Sequence, residues 1–231
     1  MYQRIFLSLC IFSALQCRLF DNTLPVFPSD FNQMDLDQMQ TGQTFHYLFL
    51  IGSGYPDPND QQFYYTGDTL ELKVLEFNSI GYYISESITP GSPVWNMDST
   101  RYYGIQKDSV YVNLWIVRND SLFIQSIHPE QYTHSHLLFR SDFALMHFTE
   151  AEVKMKGWKT TYPYNEADAR LFATDYKLLG HTYPRLNVYI NNSPMAGDGP
   201  GNTTIFSRPF GIIRTSSYSF WTGMGIGWDK L

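Results

Sequence analysis

The chain of 231 residues is 43% hydrophobic and 16% charged, the proportions of a globular domain rather than a disordered one. Its net charge of −6, without any cluster of Lys and Arg, sets nucleic acid aside as a partner, because neutralising phosphates needs a concentrated cationic face. Aromatic residues make up 17%, with 17 Tyr and 17 Phe, and favour strands, whose pleated surface accommodates flat side chains.

Residues 1–17 read as an export signal. Arg4 supplies a positive start, Ile5 to Leu15 an apolar core, and the small residues Ser13 and Ala14 precede a break at Cys17. Eleven residues of helix rise only about 16 Å, short of a hydrocarbon core of about 30 Å, so this is no membrane span. Cys10 and Cys17 are the two cysteines, and removal of the signal would leave no internal disulfide. Cys17 resembles the acceptor of bacterial lipoprotein signals, in which cleavage leaves an acylated N-terminal Cys, although Gln16 stands where a small residue is usual. The expectation is an exported chain, lipid-anchored through Cys17 or plainly secreted.

Residues 18–41 form a polar lead-in punctuated by Pro25 and Pro28, a tether or an arm across the domain. Residues 42–231 read as a single β-rich domain. Strand texture is expected at 43–51, at 69–77, where Leu70, Leu72 and Val74 share a face, and at 81–88 as its hairpin partner. It continues at 102–106, 110–117, 122–127, 136–139 and 143–148. The short links between these runs imply antiparallel pairing, since parallel strands need long crossovers.

Two helices are expected late in the chain. Over 150–156, Thr149 and Glu152 stand as the halves of a capping box, with Gly157 beyond the end. Over 166–179, Asn165 would cap the start and Gly180 would follow the end. Leu171, Phe172, Tyr176 and Leu179 would form one apolar stripe at helical spacing. Strands resume at 185–191, 203–207 and 212–220. The fold class expected is mainly β, an antiparallel barrel or half-barrel of about ten strands with two late helices.

Chemistry-bearing residues are sparse. The loop 192–202 carries Gly197, Gly199 and Gly201 around Asp198, a candidate acid or base, although a wide hairpin connection explains the same composition. His134 and His136 would share one face of an extended segment, and with His128 or His147 could offer three nitrogens to a metal. A polar turn is the plainer reading of that pair. No nucleophile elbow, Cys-x-x-Cys pair, zinc-protease motif or phosphate loop occurs, and no cofactor is implied. Asp198 with a histidine of the 128–147 region would be the acid and base of an extracellular hydrolase acting on a polymer. Trp95, Trp115 and Trp158 could stack on an apolar ligand or a glycan, although most aromatics in such a sheet are core.

The passage from His181 to Gly201, followed by Ile205 to Trp221 with Phe210-Gly211-Ile212-Ile213-Arg214, resembles the C-terminal part of uncharacterised exported bacterial proteins and lipoproteins. The resemblance covers about the last sixty residues, implies no activity, and agrees with lipid attachment at Cys17. An exported, non-catalytic binding or structural domain is the expectation.

Overall fold

Alternation of apolar with polar side chains organises most of this chain into strands. The computed structural model describes residues 33–53, 62–91, 108–127, 135–139, 143–148, 172–191, 201–219 and 223–231. Among them are eleven strands: β1 Thr44–Ser53, β2 Phe63–Phe77, β3 Tyr82–Thr89, β4 Tyr111–Arg118, β5 Ser121–Ser126, β6 Phe143–His147, β7 Phe172–Leu178, β8 His181–Asn191, β9 Gly201–Ser207, β10 Gly211–Ser219 and β11 Met224–Lys230. They form one antiparallel sheet in the order β6-β5-β4-β3-β2-β1-β11-β10-β9-β8-β7, a half-barrel with β6 and β7 at its edges. The first six strands step outward from β1, and the last five step back until β11 pairs with β1.

The curl follows from two contacts. Phe148, just past β6, stacks on Phe206 of β9 at 5.8 Å, and Asn187 Nδ2 of β8 donates to the Phe148 carbonyl at 3.1 Å. In a flat sheet β6 and β9, eight places apart, would be about 38 Å distant at about 4.8 Å per step. The concave face therefore closes on itself. Phe45, Tyr47, Phe49 and Ile51 of β1 line it with Leu70, Leu72 and Val74 of β2, Trp115 of β4, and Ile226 and Trp228 of β11.

A second apolar cluster lies on the opposite face. Phe206 and Ile212 belong to the concave core, while their neighbours Ile205 and Ile213 pack with Ala173, Tyr176, Leu178, Leu186 and Val188. Successive residues of a strand point to opposite faces, so β9 and β10 are apolar on both sides.

The turns divide into two ends. The β2–β3, β4–β5, β7–β8 and β9–β10 turns gather at one end, here the near end. The strand ends at Ser53, Thr89, Ser126 and Asn191 gather at the other. Residues 33–40 run across the near end as an arm. Met34, Leu36 and Met39 are buried there, Leu36 N donates to the Arg208 carbonyl at 3.1 Å, and Arg208 pairs with Asp37.

Two expectations are corrected. No helix occurs among the described residues, and the helix expected over 166–179 is replaced from Phe172 onward by β7 and its turn. Leu179 and Gly180 have φ of 47° and 84°, which makes a two-residue hairpin turn of the type that matches strand twist. Glycine in the left-handed region ends helices and closes hairpins alike, so Gly180 fitted both readings. Asp175, at φ 50°, breaks the two-residue period opposite Pro184, which has no N–H to donate, so Ala173 shares a face with Tyr176 and Leu178. The helix expected over 150–156 lies outside the described residues, as does the strand at 102–106. The strand expected at 136–139 is a turn, and β11, with its alternating glycines, was not anticipated.

Candidate functional site

The polar centre of the concave face begins on β3. Tyr82, Ile84, Glu86 and Ile88 alternate inward, so Glu86 shares the apolar face and is fully buried. Asn113 of β4 points the same way, because its neighbour in register, Ile84, does. Asn113 Nδ2 donates to Glu86 Oε1 at 2.6 Å. Ser135 Oγ lies 3.1 Å from both carboxylate oxygens, and the N–H groups of His136 and Leu137 donate to Oε2 at 2.6 and 3.1 Å. Ser135 Oγ in turn accepts the Leu138 N–H at 2.9 Å. Glu86 thus caps the turn 135–139 from inside the half-barrel. Burial pushes its pKa up, against the four groups that donate to it.

The turn is held from other sides as well. Trp228 Nε1 donates to the His136 carbonyl at 2.9 Å, and Asn202 Nδ2 to the Phe139 carbonyl at 3.0 Å. Leu137, Leu138 and Phe139 are buried in the concave core. The His136 ring stacks on Tyr111 at 4.4 Å, with Nε2 2.8 Å from the Ser109 carbonyl. A carbonyl can only accept, so Nε2 carries the proton and Nδ1 is the bare nitrogen. Nδ1 is buried without a partner, and burial draws the ring's pKa down to about 4.

A serine, a histidine and a carboxylate therefore meet here without the wiring of a nucleophilic triad. The Ser135 hydroxyl faces the carboxylate, the His136 ring faces a backbone carbonyl, and Nδ1 faces no hydroxyl. What the arrangement does is fix a turn inside a curled sheet.

Two further buried polar sets stand apart. On the convex face Arg214 of β10 forms a two-point ion pair with Asp229, its register partner on β11. Asp229 also accepts the Tyr65 hydroxyl at 2.6 Å, and Tyr176 of β7 lies within electrostatic reach of Arg214. At the near end Lys230 is buried, with Nζ 3.1 Å from the Phe210 carbonyl and 5.6 Å from the Phe45 ring centre. Burial draws its pKa down to about 7.

Among the residues singled out from sequence, Trp115 is fully buried in the concave core, and its Nε1 has no hydrogen-bond partner. His147 ends β6 and pairs through Nδ1 with Ser121 Oγ at 2.8 Å; its neighbour Met146 faces the core, so His147 points to the other face, away from His136. No group of three or more His, Cys, Asp or Glu among the described residues is placed to hold a metal. Cys17, Trp95, His128, His134, Trp158 and Asp198 lie outside the described residues. Sequence reading missed Glu86, although its place in an otherwise apolar alternation, Tyr82, Ile84, Ile88, was a legible sign of a buried carboxylate. It also missed Arg214, Asp229 and Lys230, which share no such signal. Against protein-family models, curated proteins and solved structures, the chain matches none.

Proposed function

We propose that this chain is an exported, non-catalytic binding or structural domain, held at a membrane through a lipid on Cys17. One observation carries the non-catalytic half of that reading. The serine, histidine and carboxylate at the centre of the half-barrel are engaged in holding a turn, and none is poised toward a reacting atom. The packing of Trp115, Phe49 and Trp228 with Leu137 and Phe139 supports a filled concavity over a catalytic cleft. An apolar ligand or a glycan would then be met away from Trp115, which leaves Trp95 and Trp158 as the candidates.

The test has two parts. Labelled fatty acid should enter the wild-type chain and not Cys17→Ala. Tryptophan fluorescence should change saturably with an apolar dye or a soluble glycan that is recovered unaltered.

One hydrogen bond supports a second reading, the extracellular hydrolase that uses Asp198 with His134 or His136. Asn202 at the start of β9 donates to Phe139, which joins the base of the segment carrying Asp198 to the turn that follows His134. Turnover of a polysaccharide or peptide polymer that vanishes in Asp198→Asn would replace the binding reading with this one.

A further inference from the structure

The near end carries an apolar surface that the core does not use. Six large apolar side chains are exposed among the described residues, and three of them, Leu75, Phe77 and Ile80, fall within the β2–β3 tip. Phe77 is 58% exposed and Ile80 53%. The other three, Val110, Ile127 and Leu145, lie away from this tip. Concentration at one turn is what distinguishes this patch from ordinary scattered exposure.

The tip is also built to lose water cheaply. Asn78 Oδ1 accepts the Ile80 N–H at 2.9 Å and the Gly81 N–H at 3.4 Å, and Asn78 N donates to the Gly81 carbonyl at 3.1 Å. Phe77 is braced against Tyr82 at 4.6 Å. Those three N–H groups can enter an apolar medium without being left unsatisfied.

The arm joins the near end to the segment that leads back to Cys17. Gly42 N donates to the Val74 carbonyl at 2.8 Å and Val74 N to the Gln43 carbonyl at 2.9 Å, and Tyr82 lies within electrostatic reach of Asp35 and Asp37. The arm therefore runs beside the β2–β3 hairpin at the near end. Sixteen residue steps separate Cys17 from Gln33, a span of at most about 55 Å. An acyl group on Cys17 would hold the near end within that distance of a bilayer and raise the tip's effective concentration there.

We propose that the β2–β3 tip, through Leu75, Phe77 and Ile80, inserts into the lipid surface to which Cys17 is attached, as a second membrane contact. This rests on the reading of Cys17 as the lipid-bearing residue. Glu76 and Asp35, the acidic groups beside the tip, favour a surface of electrically neutral headgroups, since an anionic one would repel them, while Asp37 is paired with Arg208. One weak anchor becomes a stable one when a second contact is added, which gives the tip its role.

The experiment uses the full chain from a host that exports it, reconstituted in phosphatidylcholine vesicles with brominated acyl chains, with fatty-acid label on Cys17 read from the same material. Phe77→Trp places a reporter at the tip, and Val110→Trp places one at the start of β4. Quenching at least twofold stronger for Phe77→Trp than for Val110→Trp, reduced when half the lipid is made anionic, is expected. Label on Cys17 with equal quenching at the two positions overturns the tip proposal and leaves the anchor standing, whereas absence of label sinks both. Phe77→Ser with Ile80→Ser, two exposed positions whose loss should lower thermal melting only slightly, is expected to lower vesicle binding of the labelled chain at least tenfold. Unchanged binding counts against the tip.

Discussion

Glu86 sits where a strand pattern calls for an apolar side chain, and its buried carboxyl group is accommodated by four groups that donate to it. Glu86→Ala would strand the N–H groups of His136 and Leu137 in the core, and we expect a loss of about 3–5 kcal/mol in chemical denaturation. Glu86→Gln keeps one oxygen for those N–H groups and should cost less than half as much. His136 gives stability a pH dependence of definite sign. Its folded pKa of about 4 lies below the ordinary 6.5, so the fold favours the neutral ring. That contribution is complete above pH 6.5 and is lost as pH falls from 6.5 toward 4, by up to about 3 kcal/mol. Glu86 acts in the opposite sense, because its raised pKa means that the fold favours the protonated carboxyl as pH falls. Urea titrations of the wild type and His136→Gln from pH 7.5 to 4.5 should show the wild type losing stability more steeply over that window. Parallel curves would remove the histidine from the account.

At the scale of elements, the β7–β8 hairpin shows how one local signal serves two structures. Leu179 and Gly180 both have positive φ, a conformation that costs an ordinary residue about 1–2 kcal/mol and glycine nothing. Gly180 has no neighbour that an added Cβ would strike, so Gly180→Ala should cost about 1 kcal/mol through backbone conformation alone. Leu179→Asn should relieve the backbone but give up the packing of Leu179 on the convex cluster, for a net change within about 0.5 kcal/mol. Thermal melts should therefore show the larger loss for Gly180→Ala. Most strands, by contrast, were legible. The β2 alternation, the β2–β3 turn and the β4–β5 turn at Arg118-Asn119-Asp120 emerge where the pattern placed them, because each is specified by residues a few places apart. The β7 strand was not legible, since Asp175 interrupts its period and puts Ala173 on the face of Tyr176 and Leu178, while Phe172 and Tyr176, four apart, fit a helix as well as a strand.

The whole molecule is joined where its two halves meet. Pairing of β1 with β11 links the strands that run outward with those that return, and Tyr65 of β2 reaches over β1 to Asp229 of β11. The Arg214–Asp229 pair lies beside this junction in a place without solvent. Arg214→Met alone leaves Asp229 as a buried charge and should cost about 3–5 kcal/mol. Combining it with Asp229→Leu should recover most of that loss, because a well-packed apolar pair avoids desolvating two ions. A double variant no more stable than the single one would show that the ion pair holds the junction in a way that packing cannot replace. Unfolding of the wild type should be one cooperative transition, since neither half of the sheet closes without the other.

By itself the sequence determined a β-rich domain of hairpin-linked strands, together with the turns that join neighbouring strands. These depend on side-chain period and on glycine or asparagine at fixed offsets, both of which act over a few residues. Tertiary structure alone decided that β11 returns to β1, that the sheet is apolar on both faces at β9 and β10, and that Glu86 reaches across fifty residues to cap the turn at His136. Such pairings depend on which faces are brought together when the sheet curls, and a carboxylate carries no local mark of the backbone N–H groups it will meet.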